Sequence, residues 1–186
     1  MADVEAVLKA MKAKSDLDSW TMLTCYLHTA ARRSELFNAK WKDVDFQSST
    51  ITLWTRKRKS GSWEPDVIPM TQTLRNALLQ HRGKYGQYEH IFTWQGKPYK
   101  SKRHWLEYWC AEAGVKKFSF HSIRHLTASW LDSKGVPLRT IQAILRHKAA
   151  TTTNRYLHEL RGVQVDLDSV FEVEEKEGKV ISLNKK

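Results

Sequence analysis

Ser119-Phe120-His121-Ser122-Ile123-Arg124-His125-Leu126-Thr127-Ala128-Ser129-Trp130-Leu131 is the stretch on which the reading of this chain turns. Steps of 100° from His121 onward put Ile123, Leu126, Trp130 and Leu131 on one side of a helix, and His121, Arg124, His125 and Ala128 on the other. The apolar stripe is expected to anchor the helix in a core while an imidazole and a guanidinium project together from the opposite face. Alone, such a pair reads as an ordinary solvated helix face. Two downstream residues change its weight: His147 comes 23 positions after Arg124, and Tyr156 nine positions after that.

Outward from this stretch, helical spacing predicts helices near 71–82, 101–113, 121–133 and 137–146, with Gly135 marking a turn and Pro137 at the first turn of the last helix. At the other end, helices are expected over Val4 to Lys14 and Leu17 to Ala31, the second capped by Asp16 or Asp18. Trp20, Met22, Leu23, Cys25, Tyr26, Leu27 and Ala30 leave that second helix little polar surface, so it should run through the middle of the core. After Trp41 the period changes to two. Val44 and Phe46, Ile51 and Leu53, then Val67, Ile68 and Met70 predict a small antiparallel sheet. Its last two strands enclose Arg56-Lys57-Arg58-Lys59-Ser60-Gly61-Ser62, a basic hairpin loop. The fold class is therefore mainly α with a small antiparallel β-sheet (α+β).

The chain has 186 residues, enough for one hydrophobic core without disulfides or metal. Cys25 and Cys110 lie far apart in apolar stretches, as buried thiols of a reduced, cytoplasmic protein would. No run approaches the roughly 18 apolar residues of a membrane span. His and Cys show no zinc spacing and no acidic cluster suggests a magnesium pair, so no metal and no cofactor is expected. Lys and Arg total 31 against 20 Asp and Glu, a formal charge of +11, and the excess is grouped in the Arg56–Lys59 loop and again at Lys97, Lys100, Lys102 and Arg103. Grouped positive charge is the footprint of phosphate-backbone tracking, and double-stranded DNA is the expected partner.

In order and spacing, His121-Ser122-Ile123-Arg124, His147 and Tyr156 resemble the C-terminal signature of the tyrosine recombinases and phage integrases. Thr29-Ala30-Ala31-Arg32-Arg33-Ser34-Glu35-Leu36 resembles that family's first box, which makes Arg32 the first catalytic arginine and Glu35 its supporting acid. The resemblance also places a catalytic lysine in the hairpin between two strands: Lys57, with Lys59 as the alternative. Two positions depart from the family pattern, Ala30 and Arg146, both standing where the family commonly has glycine. The resemblance spans about 17 to 160 and implies the DNA breaking-rejoining fold of a recombinase catalytic domain.

The chemistry it implies suits these side chains. A tyrosine hydroxyl attacks a DNA phosphodiester, forms a 3′-phosphotyrosyl bond and releases a 5′-hydroxyl, so the phosphate-bond energy is kept for religation. Tyr156 is the implied nucleophile and His121 the acceptor of its proton. Arg32 and Arg124 would fork onto the non-bridging oxygens, His147 would add a hydrogen bond, and the lysine would protonate the departing 5′ oxygen. Arg56, Arg58, Lys100, Lys102, Arg103, Arg139 and Arg146 are the expected DNA-backbone contacts.

Residues 1–165 would be the catalytic domain and 166–186 an acidic tail, either solvated or docked on a neighbouring protomer; the family's N-terminal core-binding domain would be absent from this chain. A monomer in solution and a tetramer on DNA fit that organisation. Two other readings stand beside it. Leu131, Gly135, Ile141 and Ile144 are spaced somewhat like the core of a non-catalytic helix-turn-helix DNA-binding module. A type IB topoisomerase-like relaxing enzyme would use the same tyrosine chemistry.

Overall fold

A computed structural model describes residues 1–56 and 61–146. Lys57, Arg58, Lys59, His147, Tyr156 and the segment 166–186 lie outside the described residues, as do the side chains of Arg56 and Arg103.

Helix α1 (Ala2–Ala13) buries Val4, Val7 and Met11, the 3–4 spacing of a one-sided helix. It ends in a left-handed turn at Ser15 (φ 55°). There the Ser15 N–H bonds Lys12 O and the Asp16 N–H bonds Met11 O, the paired bonds of a Schellman stop. Asp16 then caps helix α2 (Leu17–Thr29), its carboxylate accepting from the Ser19 N–H at 2.9 Å. Ten of the 13 residues of α2 are buried, and helices on several sides pack against it. Two of its buried hydroxyls are satisfied within the helix: those of Thr21 and Thr29 donate to the carbonyls of Leu17 and Cys25. Full burial drives the Cys25 thiol pKa up, so this sulfur is an inert core group.

After the short helix α3 (Arg33–Phe37) and a 3₁₀ turn at Trp41–Asp43, strands β1 (Val44–Asp45), β2 (Thr50–Arg56) and β3 (Trp63–Pro69) form an antiparallel sheet in that order. Thr50 pairs with Pro69 and Arg56 with Trp63, so β2 and β3 pair antiparallel as expected, while Lys57, Arg58 and Lys59 of the expected basic loop lie outside the described residues. Ile51, Leu53 and Thr55 face inward, while Trp54, Trp63 and Val67 face out. Helix α4 (Gln72–Tyr85) is capped by Thr71, and strands β4 (Thr93–Trp94) and β5 (Lys97–Pro98) make a two-stranded ribbon before helices α5 (Arg103–Glu112), α6 (Phe120–Ser133) and α7 (Leu138–Leu145). Gly114 (φ 66°) and Gly135 (φ 78°) supply the left-handed residues that stop α5 and α6.

The fold is therefore mostly helical with small antiparallel sheets, and the main expected elements are present. The second helix stops at Thr29 rather than Ala31, because Ala30 turns left-handed (φ 46°, ψ 34°). Pro137 caps α7 from outside rather than opening its first turn. Among the described residues, no helix is long and apolar enough to cross a membrane.

Candidate active site

The end of α2 and the start of α6 meet at one open cleft. Ala31, Arg32, Arg33, Ser119, Phe120, His121 and Arg124 line it, around a volume of about 530 Å³. Three of the residues singled out in the sequence, Arg32, His121 and Arg124, are thus brought together although 92 positions separate the first from the last.

Arg32 is the N-cap of α3, and Glu35 reaches back to it as the third residue of a capping box does. One carboxylate oxygen accepts the Arg32 N–H (2.8 Å), while the other accepts the Arg32 Nη1 (2.6 Å) and the Thr55 hydroxyl (2.5 Å). Glu35 is buried while the Arg32 side chain remains 43% exposed on the cleft. Burial by itself would raise the Glu35 carboxyl pKa; Arg146, Thr55 and Arg32 outweigh it and hold the group below the ordinary glutamate value, as an anion.

Helix α6 begins with Ser119, whose side chain accepts the Ser122 N–H at 3.1 Å. Phe120 stacks on Trp105 at 5.7 Å and tilts against Tyr26 at 4.6 Å, fixing the first turn. His121 and His125, both exposed, stand edge to face with their Nε2 atoms 2.8 Å apart. At that distance the N–H of one ring donates to the lone pair of the other.

Arg124 corrects the expected orientation. It does not project with His121 from the face opposite the core; it is buried with Ile123, Thr127, Trp130 and Leu131, while Leu126 is only half-buried. Its Nη1 donates to Ala30 O at 2.5 Å and its Nη2 donates to Leu145 O. Burial and the neighbouring guanidiniums of Arg146 and Arg32 lower its pKa to about 10, still well above neutrality.

Arg146 departs from its expected place among the DNA contacts. Its side chain is 2% exposed and turned inward onto Glu35 (2.5 Å), so it offers no surface to a DNA backbone in this structure. Lys102 is half-buried, its ammonium over the rings of Tyr99 (4.1 Å) and Trp105 (5.3 Å). Lys100 and Arg139 are exposed, as a backbone contact requires. Sequence reasoning misses Thr55, Arg33 and Ser119. The Ser119-x-x-Ser122 spacing ahead of an apolar run signals the cap; no spacing signals that Thr55 meets Glu35. Among the described residues no cluster of three His, Cys, Asp or Glu side chains is arranged to hold a metal.

A sequence model of the phage integrase family matches residues 1–162. The integrase of Salmonella phage P22 is 27% identical over 144 residues, 71% of this chain and 37% of that protein. A tyrosine recombinase XerC of Staphylococcus aureus (strain bovine RF122 / ET3-1) is 28% identical over 164 residues, 84% of this chain and 54% of that protein. The chain thus spans about half the length, or less, of these relatives. Among solved structures, XerA recombinase superposes with a TM-score of 0.70 at 20% identity, over 96% of this chain and 64% of that one. The integrase of mycobacterium phage Brujita gives 0.69 at 20% identity, over 91% and 56%. XerH recombinase bound to its difH substrate gives 0.62 at 18% identity, over 87% and 52%. The architecture is the recombinase catalytic fold, the family match takes in both the cleft and the hairpin, and this chain belongs to the phage integrase family.

Proposed function

We propose that this chain is the catalytic part of a site-specific DNA recombinase that cuts and rejoins strands through a 3′-phosphotyrosyl intermediate on Tyr156. The observation that carries the reading is the cleft where Arg32, Arg124 and His121 converge. Two guanidiniums beside an exposed imidazole pair suit the two needs of phosphoryl transfer to a phenol: removal of a proton from a group of pKa about 10, and fixed cations for the five-coordinate phosphorus. Arg32 and Arg124 bind the non-bridging oxygens, His121 takes the Tyr156 proton, and His147 donates to the same phosphate. Lys57, or Lys59, protonates the 5′ oxygen as it leaves. The pairing of Arg56 with Trp63 supports that assignment, since the basic segment follows Arg56 in the chain. Duplex DNA is the partner, met by Lys100 and Arg139 and by the basic hairpin; the chain is monomeric in solution and tetrameric on DNA.

A nicked suicide duplex with a randomised core tests this on a denaturing gel. Wild type is expected to trap a covalent protein–DNA adduct that Tyr156→Phe does not form, and sequencing the trapped DNA identifies the site. DNA binding by both proteins with no adduct from either would refute the catalytic reading in favour of a binding module.

A further inference from the structure

We infer that Arg146 is a positioning residue for the phosphate cleft, acting through Glu35 to hold Arg32 and through the last turn of α2 to hold Arg124. The inference rests on the proposed function, since the cleft is taken as the phosphate site.

The backbone shows that Arg146 is not there for convenience. It ends α7 at φ 55°, ψ 44°, a left-handed conformation that glycine adopts freely and an L side chain resists. A residue that resists its own backbone persists where its side chain makes contacts that outweigh the resistance. Here it does. Nη1 donates to Thr29 O at 2.9 Å and Ile144 O at 3.3 Å; Nη2 donates to Glu35 at 2.5 Å and Ala30 O at 3.3 Å. Thr29 and Ala30 close α2, where carbonyls lack helical partners and the helix dipole favours a cation. Ala30 O is the shared point, since it also accepts from Arg124 Nη1 at 2.5 Å. One buried side chain therefore ties the end of α7, the end of α2 and the start of α3.

Charge gives the tie its consequence for the cleft. Glu35 is 3% exposed and faces Arg32 from the start of α3, Thr55 from β2, Arg146 from the end of α7 and, at longer range, Arg124 from α6. Asp66 of β3 adds a second negative charge near Arg146. Burial drives the Glu35 carboxyl toward its neutral form, and Arg146 is the largest influence opposing that. Without Arg146 the carboxyl protonates more readily and gives up part of its hold on Arg32. With it, Glu35 stays an anion shared between two guanidiniums, so Arg32 is oriented while keeping net positive charge toward the cleft.

The test compares wild type, Arg146→Gly, Arg146→Lys and the double variant Arg146→Gly/Glu35→Gln. Glycine suits the left-handed backbone, so the single variant is expected to fold, and thermal melts check it. Three quantities are read: the Glu35 carboxyl titration by carbon-13 NMR, inorganic phosphate affinity by calorimetry, and single-turnover adduct formation on the selected nicked duplex between pH 6 and 9. Arg146→Gly is expected to raise the Glu35 titration midpoint and weaken phosphate binding about tenfold. It should slow adduct formation about 10²-fold at pH 7, with partial recovery at higher pH. Lysine should restore part of the rate, and Glu35→Gln in the double variant should abolish the new pH dependence. A purely structural role would lower the melting temperature without moving the pH profile. An unchanged Glu35 titration, or a wild-type adduct rate in Arg146→Gly across the range, overturns the inference. If wild type forms no adduct at all, the proposed function fails, and phosphate decides the positioning claim: tenfold weakening upholds it and equal affinity overturns it.

Discussion

Mild acid should destabilise this protein through His28, a buried residue one turn ahead of the cleft. His28 is 5% exposed and its Nδ1 lies 2.6 Å from the Thr71 hydroxyl, which already accepts the Leu74 N–H as the cap of α4. That hydroxyl proton is free to donate to Nδ1, an arrangement only a neutral imidazole accepts. Burial lowers the His28 pKa to about 3, against about 6.5 in the unfolded chain. Between these values the unfolded state binds the proton and the folded state does not, so stability rises with pH. The contribution is fully present above about 6.5 and is lost as pH falls toward 3, at a slope approaching 1.4 kcal/mol per pH unit. From pH 7 to pH 5 the loss is about 2 kcal/mol, or roughly 4–8 °C in melting temperature for a chain of this size. His81, also buried and lowered, adds in the same direction, whereas the buried carboxylate of Glu35 titrates below this window. Urea denaturation of wild type and His28→Gln at pH 7, 6 and 5 isolates the effect. The variant should lose about 2 kcal/mol less than wild type over the interval; parallel losses would refute the reasoning.

Other expectations attach to single positions. Ser15→Gly should stabilise by about 1 kcal/mol and raise the melting temperature by about 2–4 °C, because Ser15 is exposed and left-handed at the Schellman stop of α1. Gly135→Ala should cost about the same, and through backbone conformation alone, since an added Cβ there meets nothing within 4 Å; calorimetry reads both. Arg124→Lys should reduce the adduct-forming rate by about 10²–10³ in single-turnover assays, because one ammonium cannot satisfy Ala30 O and Leu145 O and still present a fork. Lys100→Ala should weaken DNA binding without sequence preference and reduce the slope of log affinity against log salt by about one, read by fluorescence anisotropy.

What is legible in the sequence is what has a period. The all-round apolarity of α2, the alternation in β2 and β3 and the stripe of α6 each declare an element. The α3 helix and the β4–β5 ribbon, of five residues and of two per strand, are too short to show one. A helical wheel puts Arg124 on the wrong face because the wheel has no sharp edge: Arg124 lies about 20° beyond Leu131, and only the carbonyls of Ala30 and Leu145 draw it inside. Arg146 misleads for a related reason. An arginine in a basic chain suggests phosphate, and nothing in spacing reveals that Glu35, 111 positions away, waits for it in the core. The two departures from glycine do carry a signal. Ala30 and Arg146, the two positions where the resemblance leads one to expect glycine, both adopt the left-handed backbone that glycine favours.

The manner in which Arg124 is gripped bears on what it can offer a ligand. A guanidinium fastened by carboxylates is oriented and cancelled in the same act, and the field it projects collapses to that of a dipole. The two acceptors of Arg124 are uncharged peptide oxygens at the ends of α2 and α7. They lock the plane of the fork with no carboxylate bonded to it, and Glu35 acts on it only from longer range. The backbone thus supplies an oriented cation that no bonded carboxylate neutralises before a phosphate arrives.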